Sequence, residues 1–200
     1  MAARPNLPYD FPSPLHTERL VLRLMTLDDV DDVYAYQSRE DVSRYLLHEP
    51  RTRAEVEEHV AGNAEAITLT DDGDFWQLAV ARADDPGRVM GHVYFTIKSI
   101  ANSTAEIGFT QHPDFHGQGY MTEAANAVLE IAFGELGLHR VMAELDPRNA
   151  ASVALCKRLG MREEAHFVED LWFKGHWGDT GIYAILDREW AERRRAGTVP

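Results

Sequence analysis

The sequence predicts one α/β or α+β domain, a sheet layered against helices, and three observations predict it. Its 200 residues, 44% of them hydrophobic, suit one ordinary core. A domain of this size buries roughly two thirds of the surface its unfolded chain would expose. Segments that alternate apolar and polar residues are interrupted by segments with a helical apolar period, the respective signatures of strand and helix. Their order is sheet, helix, strand, helix, sheet, with no repeat and no interdomain linker, so the elements belong to one sandwich.

Each element has a local reason. MAARPNLPYDFPSPLH (1–16) lacks a hydrophobic export core, and its prolines read as a flexible arm. RLVLRLM (19–25) alternates and gives the first strand. Thr26 or Asp28 then caps a helix over DDVDDVYAYQ, whose acidic side chains suit the positive end of the helix dipole. TRAEVEEHVAGNAEAI (52–67) is a second helix, weakened late by Gly62 and Asn63. FWQLAVAR (75–82), the turn DDPG (84–87) and RVMGHVYFTI (88–97) form an antiparallel hairpin. TAEIGFTQ (104–111) is a strand that leads into the loop HPDFHGQGY. From Thr122 to Glu135 the helical period returns, with Ala124, Val128, Leu129, Ala132 and Phe133 as its inward stripe. HRVMAEL (139–145) is strand-like, and NAASVALCKRL (149–159) is a short helix stopped by Gly160. REEAHFVEDLWF and DTGIYAIL are strands joined by GHWG, and a short tail follows around DREWAERR. The expected boundaries are an arm (1–16), the domain (17–193) and a C-terminal tail (194–200).

Composition narrows the function. The formal charge of −13 and the lack of a Lys/Arg block leave nothing to follow a phosphate backbone, so nucleic acid is not an expected partner. No apolar run approaches the roughly 20 residues that span a bilayer, so no membrane association is expected. A lone cysteine, Cys156, excludes an internal disulfide and fits a reducing compartment, the cytoplasm. His116, His139, His166 and His176 are far apart in sequence and show no compact metal-ligand pattern, so no metal is expected.

The sharpest local feature is HGQGYMTEAANAV, where Gly117 and Gly119 lie between a strand and a helix. Glycines there let an anion approach main-chain N–H groups, and the unpaired amides of the helix start point at it. A simple tight turn satisfies the same pattern. The segment is neither a P-loop, lacking GKS or GKT, nor G-x-G-x-x-G, so the phosphate bearer is expected to be neither ATP nor NAD.

GFTQHPDFHGQGYMTEAANAVLEIAFGELGLHRVMAELDPRNAASVALCKRLGM resembles the central region of the GCN5-related N-acetyltransferases, specifically the branch of the ribosomal-protein N-terminal acetyltransferases. The likeness extends over residues 17–190, including RLVLRLMTLDD and GHWGDTGIYAILDREW. It implies a mixed, mostly antiparallel twisted sheet flanked by helices, acetyl-CoA as cosubstrate, and a homodimer as an allowed assembly. It implies that Phe109 lies along the pantetheine, that the backbone of Gln118, Gly119, Tyr120, Met121 and Thr122 receives the pyrophosphate, and that Asn149 and Ser152 lie beside the pantetheine arm. The family's Gln/Arg-x-x-Gly-x-Gly/Ala pattern is imperfect: His116 takes the first place and Met121 the last. Where many members carry a tyrosine as general acid, this sequence has Cys156.

Transfer needs a neutral amine and a thiolate able to leave. An α-amine, with a reference pKa of about 7.7–8.0 against about 10.4 for lysine, needs less help, so the expected acceptor is a protein or peptide N-terminus. Glu106, charged between apolar neighbours in TAEIGF, is the candidate base, and the resemblance implies a glutamate facing the acceptor there. A residue on the wet face of a strand would look the same. The resemblance makes Ser152 the candidate leaving-group acid, with helix-start hydrogen bonding as its alternative. Asn149 likewise reads as a cap. Glu169 and Asp170 could attract an ammonium. Trp172, Phe173 and Trp177 are candidates for core or acceptor wall, and Tyr34, Tyr36 and Tyr45 for packing or closure over the acceptor. Competing readings are a small-amine or antibiotic acetyltransferase, a noncatalytic acyl-CoA-binding protein, and a structural domain with no cofactor.

Overall fold

The computed structural model describes residues 4–197. The expected flexible arm lies against the body from residue 4 on. Asn6 N–H donates to the Leu136 carbonyl, Phe11 is buried in the core, and two short strands, β1 (Tyr9–Asp10) and β2 (Leu15–His16), pair with the chain. Its apolar residues Phe11 and Leu15 override what its prolines suggest. β3 (Leu20–Leu24) follows, then a 3-10 turn at 27–29 and α1 (Val30–Gln37). Arg23 ties these together by donating to both oxygens of Asp29 at 2.7 and 2.6 Å, while Thr26 N–H donates to Asp29 Oδ2. The short α2 (Glu40–Ser43) has no sequence signal. α3 (Arg53–Ala64) is capped by Thr52 and ends before the expected 67, after Gly62 and Asn63. β4 (Thr68–Leu69) pairs with β1.

β5 (Phe75–Arg82) and β6 (Asp85–Ser99) form the hairpin, with the turn at Ala83 and Asp84 and two register shifts beside it. β6 therefore starts inside the DDPG segment, because a bulge lets Asp85 pair with Arg82. β7 (Thr104–Gln111) is followed by α4 (Tyr120–Glu130), which passes into a π turn over 131–135, where Leu136 N–H reaches the Ile131 carbonyl. β8 (Arg140–Leu145), α5 (Ala150–Arg158), β9 (Arg162–Phe173) and β10 (His176–Leu186) complete the body. The segment around DREWAERR is a helix, α6 (Asp187–Arg195), held by buried Trp190 against Phe133. No described helix is long and apolar enough to cross a membrane.

The eight-stranded sheet runs β2-β3-β5-β6-β7-β8-β10-β9, antiparallel except for the β7–β8 pair. One face carries Val93, Phe95, Ile107 and Val141 and is covered by the Ala124, Ala125, Val128 and Leu129 stripe of α4, all in one buried cluster. Each large aliphatic or aromatic side chain in it contributes about 1.5–3 kcal/mol. The opposite face carries the alternate residues, polar ones such as Gln77, His92, Thr96 and Glu106. α1 and α3 cover one end of it through their own small cluster of Val33, Tyr36, Val56 and Val60.

Candidate active site

The site begins where β7 and β8 part. They pair at Thr104–Arg140, Ala105–Val141 and Glu106–Met142, and there the pairing stops. β7 continues to Gln111 and stays on β6, while β8 continues to Leu145 and stays on β10. The two strands open a wedge with Glu106 at its apex. Among the described residues the β7 edge beyond Glu106 has no strand partner, so its backbone groups can meet an extended, amide-bearing ligand.

Below the wedge, the loop after β7 delivers a helix start. Gly117 and Gly119 have φ of +75° and +79°, a region that costs other L-residues about 1–2 kcal/mol. Gly119 is the N-cap of α4, which leaves the N–H groups of Tyr120, Met121 and Thr122 without intrahelical acceptors. His116 staples the loop to β7, its Nε2 3.2 Å from the Gln111 carbonyl. Met121 does not obstruct the approach as its bulk suggests. The residue is 7% exposed, and its Cε lies near Gly91, 3.2 Å from where a Cβ would stand there. The bare backbone of Gly91 is required first by β7, since a Cβ there would stand 2.5 Å from the Thr110 carbonyl oxygen and 2.9 Å from Gln111 Cα, and the Met121 side chain packs beside it.

Arg19 was not singled out by the sequence, yet it organises this loop. Its guanidinium donates to the Gln118 carbonyl at 3.0 Å and to Glu123 Oε2 at 2.7 Å, and lies 4.8 Å over the Tyr120 ring. Thr17 Oγ and Arg19 N–H add donors to Glu123 Oε1 at 2.6 and 2.8 Å. Burial opposes ionisation of Glu123, but these donors outweigh it and hold the carboxyl below its usual range. Its charge is thereby taken up within the protein, and the helix start stays receptive to an anion.

Two grooves meet at the loop. One of about 1130 Å³ runs along α4 past Arg19, Gly119, Asn126 and Arg194; the other, of about 440 Å³, runs past Phe109, Asn149, Ser152 and Tyr45. Gln111, Gly117, Met121 and Arg158 line both, so they form one long trough. Arg158 donates to Thr122 Oγ at 3.1 Å at the junction. Asn126 Oδ1 is buried there without a hydrogen-bond partner in the described residues. A long ligand with an anionic middle and an extended amide arm fits this trough. Acetyl-CoA has those parts.

The structure brings Phe109, Gly119, Met121, Thr122, Asn149 and Ser152 to the trough, with Gln118 and Tyr120 in the loop between. Asn149 caps α5, its Oδ1 accepting from Ser152 N–H at 3.2 Å, so capping and trough lining coexist. Cys156 is fully buried in the core, and burial pushes its thiol up to about 12. It is neither nucleophile nor substitute for a tyrosine acid.

Glu106 lies on the polar face, since Ala105 and Ile107 belong to the core. Its side chain is 19% exposed and its Oε2 is 2.9 Å from Lys98 Nζ. On the same face Tyr36 is buried, burial pushes its phenol up, and its Oη lies 2.8 Å from His92 Nδ1. Burial also lowers His92 to about 3 and His59, which meets Gln77 at 3.1 Å, to about 4. Tyr34 packs on the α1–α3 cluster, and only Tyr45 of the three tyrosines lines the trough. Trp172 and Trp177 are exposed and touch edge to face at 5.3 Å at the end of the β9–β10 hairpin, while Phe173 is half-buried. Lys174 in that hairpin donates to the Ser43 carbonyl at 2.6 Å, tying it to α2. Glu169 and Asp170 are exposed on the outer strand; Glu169 N–H donates to Asp179 at 3.0 Å. No group of three or more His, Cys, Asp or Glu among the described residues could hold a metal ion.

A family model described as the acetyltransferase (GNAT) domain matches residues 19–162. The uncharacterized N-acetyltransferase YnaD of Bacillus subtilis is 33% identical over 178 residues, 87% of this chain and 97% of that protein. A solved GNAT-family acetyltransferase from Bacillus anthracis superposes with a TM-score of 0.78 at 29% identity, covering 88% of this chain and 99% of that one. Two relatives have named acceptors. The [ribosomal protein uS5]-alanine N-acetyltransferase of Escherichia coli is 30% identical over 44% of this chain and 45% of that protein. The Vibrio cholerae spermidine N-acetyltransferase, solved with CoA and spermine, shares the fold at 22% identity and a TM-score of 0.72, over 88% of this chain and 99% of that one. The chain belongs to the GNAT acetyltransferase family, with its mixed, mostly antiparallel sheet, and is an acetyl-CoA-dependent N-acetyltransferase.

Proposed function

We propose that the acceptor is the N-terminal α-amine of a protein or peptide, acetylated by direct attack within a ternary complex. The observation that carries this reading is the openness of the acceptor face. Glu106 stands at the apex of the wedge, and the neighbouring Lys98 side chain is 46% exposed and Glu144 is exposed. A chain end can reach such a face without being enclosed. The likeness to the ribosomal-protein enzyme over 88 residues supports the same acceptor.

The thioester supplies the activation of the acyl group. Glu106 takes the proton of the attacking amine, directly or through one water, as the C–N bond forms and the C–S bond breaks. Ser152 Oγ hydrogen-bonds the departing sulfur, which needs only modest assistance because thiols have a reference pKa near 8.5. Phe109 and Asn149 orient the pantetheine arm, and the backbone of Gln118 to Thr122 holds the pyrophosphate. The lone, buried Cys156 fits a cytoplasmic setting.

The small-amine reading is favoured by the spermidine enzyme, whose likeness spans the whole fold. Thiol release from acetyl-CoA separates the two. Lysine-free peptides with free N-termini are compared with the same peptides N-terminally blocked, and with spermidine and an aminoglycoside. Turnover of the free peptides alone is the expected result; turnover confined to the small amines overturns the assignment.

A further inference from the structure

We propose that Lys98 is a positioning residue for Glu106: its ammonium holds one carboxylate oxygen at the apex of the wedge and leaves the other to the acceptor. This rests on the reading of Glu106 as the base. The register places Thr96 opposite Glu106, so Lys98 is the diagonal neighbour on the same face, and a register shift between Ile97 and Ser99 lies at its position. Lys98 Nζ and Glu106 Oε2 are 2.9 Å apart, the length of a charge-assisted hydrogen bond.

Two consequences follow from the chemistry. A glutamate without a partner samples several rotamers, and fixing it removes that freedom before the acceptor arrives. An unpaired carboxylate would also hold the incoming amine as its ammonium, the unreactive form, because an opposite charge favours the charged state. The Lys98 cation works against that capture. The charged and titratable groups acting on Lys98 are Glu106 from β7, Glu144 from β8 and Tyr94 from its own strand, and the hydrogen bond to Glu106 is foremost in raising its pKa.

The full-length protein is assayed with acetyl-CoA and a lysine-free peptide beginning with alanine. Lys98→Met is expected to lower kcat about tenfold, since small misplacements of a reacting group cost up to about a hundredfold, with KM for acetyl-CoA unchanged. The limb of kcat set by acceptor deprotonation moves to higher pH. Lys98→Arg restores most of the rate, and adding Lys98→Met to Glu106→Gln costs nothing further. A second measurement needs no turnover. The sequence has three lysines, so the Cε NMR signal of Lys98 is assigned by its loss in Lys98→Met. Loss of the same signal in Lys98→Arg, or its persistence in Lys157→Arg and Lys174→Arg, assigns it independently; its titration midpoint is expected to fall in Glu106→Gln, and an unmoved midpoint overturns the proposal even if Lys98→Met fails to fold. An impaired Glu106→Gln beside a normal Lys98→Met, or additive losses in the double variant, removes Lys98 from the site and leaves Glu106 as base. A normal Glu106→Gln removes both.

Discussion

The proposed cofactor half of the site and the proposed acceptor half are built on different principles. The loop from Gln111 to Thr122 and the cap at Asn149 act through backbone geometry: two left-handed glycines, a helix start and a side-chain cap, all within short stretches of chain. The acceptor face is assembled from side chains of β6, β7 and β8, with the buried Tyr36–His92 contact anchoring α1 above it. Backbone recognition depends on main-chain geometry more than on the side chains around it. Side-chain recognition changes with each residue it uses.

The comparison breaks most directly at Gly119. A β-branched residue at φ +79° is strained, so Gly119→Val is expected to weaken acetyl-CoA binding by about tenfold or more, from a cost of at least about 1–2 kcal/mol. Calorimetric titration checks it, and unchanged affinity would mean that the helix start does not hold the anion.

Acid sharpens the other half. Burial holds His92 and His59 at about 3 and about 4, below the ordinary 6.5, so between those values the unfolded chain binds more protons than the native one. The stability they contribute is present above about pH 6.5 and is lost as pH falls to about 4 for His59 and about 3 for His92, with a slope of up to about 1.4 kcal/mol per pH unit for each histidine. Urea midpoints at pH 7.5 and 5 measure this, and His92→Gln is expected to flatten the dependence. Equal slopes for the two proteins would show that His92 is not held neutral.

A smaller effect is expected at Arg19. Arg19→Met removes the guanidinium's hydrogen bonds to Gln118 and Glu123 and leaves the Glu123 charge without its cation beside the anion site, raising KM for acetyl-CoA roughly threefold to tenfold. An unaltered KM would confine Arg19 to packing. The smallest is Ser152→Ala, expected to change kcat by no more than about threefold, because a thiolate leaves without a strong acid. A loss of about a hundredfold would make Ser152 an obligatory acid.

Much of the loop and helix geometry around the trough was legible because its signals are local. Gly117, Gly119, the apolar stripe of α4 and the cap at Asn149 each sit within one element and report on it. Arg19 was not legible, since its partners Gln118 and Glu123 lie 99 and 104 residues away. The same distance argument covers Lys174 and Ser43, which are 131 residues apart and join the β9–β10 hairpin to α2.

By itself the sequence determined the alternation of strands and helices, the glycine loop before α4 and the family that these identify. Periodicity, turn residues and capping act over a few positions and are written in order along the chain. Only the tertiary structure decided that the proline-rich start packs on the sheet, that the tail is a helix seated by Trp190, and that the backbone at Thr110 and Gln111 closes on Gly91. It alone decided that β7 and β8 part at Glu106, with Lys98 on its carboxylate. Those features depend on which surfaces meet after the chain has closed on itself, and that is set by burial and register between segments remote in sequence.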